Sequence, residues 1–205
     1  MSALSELPIE EWDPKLRKLM EGQSNVSSME KRSRSMTAHA PNMRLANNAF
    51  MEAAMNGRKI SRRLLELVRL RVAFHNQCRT CMAIRFQSAL DDGLTEDMVC
   101  SLEKPMDAPN LSDAEKAALE YADLFATNHF AITEANYAKL RKYFSEQEIV
   151  ELGLFTGYFL GFGRFLATVN IVETLPESYQ DKSRKVAPWE SSETVVVDDT
   201  DPRNM

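Results

Sequence analysis

The sequence predicts an all-α protein, a multi-helix domain followed by a flexible C-terminal tail. Three observations carry this. Apolar residues recur at helical spacing in nearly every long segment, and no run shows the sustained β-branched alternation of strands. Helix starts are also marked by capping signals, with S-x-x-E at Ser112/Glu115 and again at Ser145/Glu148. The 205 residues, 44% of them hydrophobic, suffice for one domain with a real apolar core.

Residues 14–21 read as a short amphipathic helix, and Gly22 to Ala40, polar and without apolar periodicity, as a loop or loosely held helix. Together residues 1–40 form an N-terminal appendage packing on a domain of residues 41–175. From Pro41, apolar residues including Met43, Leu45, Phe50 and Ala54 recur at helical spacing until Gly57. Ser61 caps the next helix, whose Leu64, Leu65, Leu67, Val68, Val72 and Ala73 form a broad buried face. One helix is expected from about Arg79 to Asp91, stopped by Gly93, and Thr95 caps a short helix after it.

Beyond the loop marked by Pro105 and Pro109, the Ser112 capping box starts a helix to Asn128, and Thr133 caps another. The Ser145 box opens a long apolar helix that ends before Pro176. Residues 176–205 mix Pro, Ser, charge and an isolated VVV, which reads as flexible unless a partner chain holds it.

Composition narrows the function classes. A balance of 25 basic against 30 acidic side chains argues against a nucleic-acid partner. The N-terminus has acidic residues and prolines where an export signal needs a basic start and an apolar run, so a cytoplasmic location is expected. Leu152 to Val172 approaches membrane-span length, but Arg164 and regularly spaced glycines interrupt it, and a buried helix rather than a membrane association is expected. Gly153, Gly157 and Gly161 form a small-residue stripe, suited to a subunit interface, to packing within one subunit, or to a floor beneath a pocket. Arg164, in a run nearly free of charge, is expected to be buried against a carboxylate.

Chemistry concentrates at Cys78 and Cys81. In a C-x-x-C unit at a helix start, the backbone N–H groups favour a thiolate and the spacing lets one sulfur resolve a disulfide or sulfenic acid on the other. Two ordinary buried thiols, or half of a zinc site, are the alternatives; Cys100, His39, His75 and His129 supply no matching ligand spacing, so no metal and no cofactor is expected. Cys100 reads as a small buried bystander. His75, three residues before Cys78, is a candidate base if the helix continues, or else a helix-end histidine. Tyr158 reads as a hydrogen-bonded polar tip in a core or interface.

The segment LLELVRLRVAFHNQCRTCMAIRFQSALDDGLTEDMV resembles the core of the carboxymuconolactone decarboxylase superfamily, in its branch similar to alkyl hydroperoxidase D. Upstream APNMRLANNAFMEAAMNGRKIS and downstream AALEYADLFATN and FSEQEIVELGLFTGYFLGFGRFLATVNI extend the likeness over about residues 40–175. The resemblance implies the all-α alkyl hydroperoxidase D-like fold, assembly into dimers, trimers or hexamers, and a redox centre at Cys78 and Cys81. It implies proton transfer by a glutamate twelve residues before the first cysteine, which is Glu66, and by a histidine four residues after the second, where this chain has Arg85. On a continuous helix Arg85 would share a face with Cys81 and steady its thiolate, but guanidinium cannot relay a proton. Apart from the resemblance, Glu66 can be read as an exposed carboxylate paired with Arg62, Arg63, Arg69 or Lys59.

The expected function is therefore a thiol-dependent hydroperoxidase or disulfide reductase, with a hydroperoxide or disulfide substrate, a thiol reductant, Cys81 attacking and Cys78 resolving. A lyase or decarboxylase acting on a lactone or carboxylated ring, and a non-enzymatic redox-sensing oligomer, are the alternatives.

Overall fold

A computed structural model describes residues 3–21, 26–191 and 193–200. Among them are α1 (Pro14–Met20), α2 (Ser28–Thr37), α3 (Pro41–Gly57), α4 (Arg62–Asn76), α5 (Arg79–Ala83), α6 (Gln87–Asp91), α7 (Glu96–Ser101), α8 (Asp113–Thr127), α9 (Glu134–Leu140), α10 (Glu146–Val169) and α11 (Glu177–Gln180). The only strands among these residues, β1 (Ile84–Phe86) and β2 (Val195–Val197), pair in parallel. The fold is all-α, as the hydrophobic periodicity predicts.

Helix α4 is the centre. Ser61 Oγ accepts the Leu64 N–H at 3.2 Å, satisfying one of the orphan donors of the first turn. Leu67, Val68, Leu70 and Val72 are then fully buried, because both α8 and α10 pack on α4. Each such side chain contributes about 1.5–3 kcal/mol relative to exposure, so α4 organises the core although it carries four arginines. Both flanking helices start at the expected capping boxes, with reciprocal Ser112/Glu115 and Ser145/Glu148 bonds.

The close approach of α8 to α10 uses two of the striped glycines. A Cβ on Gly153 would lie 3.2 Å from Tyr121 Oη and one on Gly157 3.6 Å from the Phe125 ring, whereas Gly161 meets open space. Gly153 and Gly157 thus serve packing within the subunit. Helix α10 is long and apolar enough to cross a membrane by length and composition. Its Ile149, Leu152 and Phe155 are buried in the protein core, while Val150, Leu154 and Phe165 are exposed.

Two segments depart from expectation, and a third, left open between a loop and a loosely held helix, proves helical. That third stretch contains α2, capped by a box between Ser27 and Glu30 and burying Met29 and Met36; residues 22–25 lie outside the described residues. The helix expected from Arg79 to Asp91 is broken into α5, β1 and α6, because residues 84–86 pair with a strand from the far end of the chain. The tail expected to be flexible supplies that strand. Its Tyr179, Val186, Ala187 and Val197 are buried, and Asp199 pairs with Arg62 and accepts from Ser88 N–H at 2.9 Å and Ser88 Oγ at 2.6 Å. Residues 192 and 201–205 of that tail lie outside the described residues. Its apolar residues have no local periodicity and find partners only across the fold.

Candidate active site

Helix α4 ends at Gln77 in the left-handed region, φ 51°, a conformation that costs a non-glycine residue about 1 kcal/mol. The tail holds it there: Gln77 Nε2 donates to the Val186 carbonyl at 3.1 Å, and Val186 N–H donates to Gln77 Oε1 at 3.0 Å. The turn redirects the chain so that Cys78 becomes the N-cap of α5 and its Sγ accepts the Cys81 N–H at 3.3 Å. Cys78 and Cys81 are joined as a disulfide. Since α5 is only five residues long, its dipole adds less to thiolate stability than the predicted long helix would.

The two sulfurs have unequal access. Cys78 is fully buried, whereas Cys81 is half-buried and lines an open cavity of about 260 Å³ walled by α2, α3, α4, α5, β1, α10 and the tail. Much of the wall is apolar, including Met29, Met51, Phe86, Phe159 and Phe162. Glu66 shares the cavity and is 3% exposed, so it is no surface carboxylate. Arg69 grips it in a bidentate pair, with both N···O distances 2.7 Å, and also donates to the carbonyls of Cys81 at 2.6 Å and Ile84 at 3.0 Å. One guanidinium therefore ties the Glu66 carboxylate to the backbone of the accessible cysteine.

Tyr158 lines the same cavity and donates to Asn47 Oδ1 at 2.9 Å. Burial, outweighing that bond and the nearby Arg44 charge, raises the phenol above its usual pKa and keeps it neutral.

Two candidates point elsewhere. Because the backbone leaves the helix at Ile84, Arg85 does not share a face with Cys81. It is fully buried, bidentate to Glu96 at 2.9 and 3.1 Å, and donates to the carbonyls of Met82, Ile84 and Pro188. Arg85 is thus a clamp joining α5, β1, α7 and the tail. His75 lies outside the cavity wall, since α4 ends before Cys78, and its Nε2 hydrogen-bonds Asp123 Oδ1 at 2.7 Å beside Arg71. Burial alone would raise the Asp123 carboxyl, but hydrogen bonds from His75 and Arg71 outweigh it and hold it below the usual carboxylate range.

Two further expectations are corrected. Cys100 is exposed, because α7 turns it outward. Arg164 is exposed too, and needs no buried carboxylate: it donates to Asn76 Oδ1 and the Ala126 carbonyl, both at 3.2 Å.

Behind the disulfide lies a residue that spacing alone did not single out. A Cβ on Gly163 would sit 2.6 Å from Asn76 Nδ2 and 4.0 Å from Cys81 Sγ. Asn76 in turn donates to the Phe159 and Leu160 carbonyls at 3.0 and 3.3 Å. Gly163→Ala is expected to displace Asn76 and destabilise the protein by about 1–3 kcal/mol. Thermal denaturation measures it, and an unchanged Tm would show that the amide yields freely.

Residues 41–124, which include α4 and both cysteines, match the carboxymuconolactone decarboxylase family model. The fold is similar to that of an uncharacterized peroxidase-related protein of Ralstonia eutropha with an alkyl hydroperoxidase AhpD core, with TM-score 0.70 and 15% identity over 87% of this chain and 94% of that one. Over residues 41–124 the chain is thus similar to the carboxymuconolactone decarboxylase family. A second structure of this fold, from Agrobacterium tumefaciens, is a protein of unknown function described as a candidate antioxidant-defence protein AhpD; its TM-score is 0.57, with 20% identity over 65% of this chain and 91% of that one. Those two likenesses concern the fold.

Two uncharacterized Mycobacterium tuberculosis proteins, from strains CDC 1551 and H37Rv, are 37% identical over 107 residues, 51% of this chain. The chain spans only 37% of the length of these curated relatives. Sequence reasoning located Cys78, Cys81 and Glu66 in the chain, and the structure brings Cys81 and Glu66 to one cavity. Sequence reasoning missed Arg44 and Asp199 of the cavity wall, for which the only signals are polar positions on an amphipathic helix and in an aperiodic tail.

Proposed function

We propose that the protein is a thiol-dependent hydroperoxide reductase that cycles between a Cys78/Cys81 dithiol and its disulfide. The observation that carries this reading is the unequal access of the two sulfurs: Cys81 lines an apolar cavity together with a buried Glu66, and Cys78 is sealed behind it. An accessible attacking sulfur and a shielded resolving one are what a two-thiol peroxide cycle needs.

In that cycle Glu66 takes the Cys81 proton, and the Arg69 charge that Glu66 had neutralised then favours the thiolate. The thiolate takes the distal peroxide oxygen, the O–O bond breaks, and the leaving alkoxide receives the proton from Glu66 to depart as an alcohol. Cys78 attacks the Cys81 sulfenic acid, and water leaves with the Cys78 proton. The pair has given two electrons to the peroxide, and an external dithiol restores it by exchange. A homo-oligomer and a reducing, cytoplasmic setting belong to the same proposal.

The test is stoichiometric. Reduced protein should consume about one equivalent of cumene hydroperoxide without added thiol, and form the intramolecular disulfide, as read by thiol trapping and mass. Glu66→Gln should slow this by about 10²-fold while leaving disulfide exchange with a dithiol intact. No peroxide loss and no mass change in wild type would refute the reading.

A further inference from the structure

Four arginines line the cavity: Arg34, Arg44, Arg62 and Arg69. Three meet a carboxylate of the same wall, Arg34 with Glu30 at 3.4 Å, Arg62 with Asp199, and Arg69 with Glu66 at 2.7 Å. Arg44, half-buried on α3, has no ion-pair partner among the described residues. The wall therefore carries one uncompensated positive charge in an otherwise largely apolar cavity, an arrangement that favours an anionic occupant. Burial, reinforced by the neighbouring Arg34 charge, pushes the Arg44 guanidinium below its ordinary pKa, as befits a cation short of a counter-ion. Asn48, one helical turn along α3, adds an amide to the same wall.

We propose that this cavity takes an amphipathic carboxylate, and that its substrate is an organic hydroperoxide carrying one. The carboxylate pairs with Arg44, the apolar body rests on Met51, Phe159 and Phe162, and the peroxide group is presented to Cys81. The hydroperoxide part of this assignment rests on the thiol-peroxidase reading above; the carboxylate part rests on Arg44 alone. Guanidinium suits the task because its planar fork matches a carboxylate and it stays charged when partly desolvated. The redox balance is that of the cycle already described, with the carboxylate unchanged in the product alcohol.

Cumene hydroperoxide and its para-carboxylated analogue share one reacting group and one apolar body, so their ratio of kcat/KM isolates the anion. Wild type should favour the carboxylate by about tenfold or more, the scale of one charge-assisted contact. Arg44→Met should bring that ratio to about 1, chiefly through a higher KM for the carboxylate, and Arg44→Lys should restore part of it. Binding of 4-isopropylbenzoate to the disulfide form, by calorimetry, gives a second readout that needs no turnover, and should weaken about tenfold or more in Arg44→Met. Matched melting curves separate this from unfolding.

An equal rate with the two hydroperoxides in wild type, or a preference or benzoate affinity that survives Arg44→Met, overturns the anchor while leaving the peroxidase intact. If neither hydroperoxide is consumed but benzoate binding still requires Arg44, the peroxidase reading falls and the carboxylate site stands.

Discussion

Cys81→Ser is expected to lose hydroperoxide consumption by at least about 10³-fold, because removing a nucleophile leaves only binding and electrostatics to act on the O–O bond. Cys78→Ser should behave differently. Its Cys81 can still take one oxygen but has no resolving thiol, so a single turnover should end at a Cys81 sulfenic acid that a sulfenic-selective nucleophile traps. The asymmetry follows from position: Cys78 is fully buried beneath the α4–α5 turn, and only Cys81 reaches the cavity. Stopped-flow peroxide loss with mass analysis of the trapped protein distinguishes the two variants. Wild-type rates in Cys81→Ser, or a trapped sulfenic acid on Cys78, would reverse the assignment.

The largest stability effect should come from Arg85. Its side chain is 1% exposed, and Arg85→Met would leave the carbonyls of Met82, Ile84 and Pro188 without this donor. Glu96 is less of a loss, since its side chain is 48% exposed and can return to water. The Ile84 carbonyl keeps Arg69 at 3.0 Å and the Met82 carbonyl keeps Tyr179 at 3.4 Å, so the Pro188 carbonyl bears most of the unsatisfied cost, about 1–3 kcal/mol; with the lost ion pair and the packing of a buried side chain, a total of about 2–4 kcal/mol is expected. At about 2–4 °C per kcal/mol for a chain of this size, Tm should fall by roughly 5–15 °C. Arg85→His should fall similarly and gain no peroxidase rate, because this position faces Glu96 and the tail rather than Cys81. A rise in peroxidase rate on introducing histidine would mean that the α5–β1 segment reaches the cavity in solution.

Arg85 also explains where the sequence was legible and where it was not. As the fourth residue after Cys81 in a periodic segment, it reads locally as part of a helix face with the thiol. What breaks that helix is a strand more than a hundred residues away, Val195–Val197, whose partners are Ile84–Phe86. Local pattern holds no information about such a pairing. Helix α2 is a different case: its Ser27/Glu30 capping box stands in the sequence, but the low apolar content left the stretch open between a loop and a loosely held helix.

His75 shows the same division between local and distant information. Its spacing to Cys78 suggests a shared site, and the left-handed Gln77 between them separates the two directions. That conformation is held by Val186 of the tail, and nothing near residue 77 announces it.

The sequence by itself determined the helical class, the starts of α4, α7, α8, α9 and α10, and the left-handed stop at Gly93, φ 85°. Those features rest on caps, periodicity and a glycine, which act within a few residues. It also located the cysteine pair and Glu66, because their spacing along the chain is itself the signal. Only the tertiary structure decided which sulfur meets the cavity, which arginine there has no carboxylate, and that the tail completes the wall through Val197 and Asp199. Burial and charge balance are sums over elements distant in the chain, so they exist only once those elements have packed.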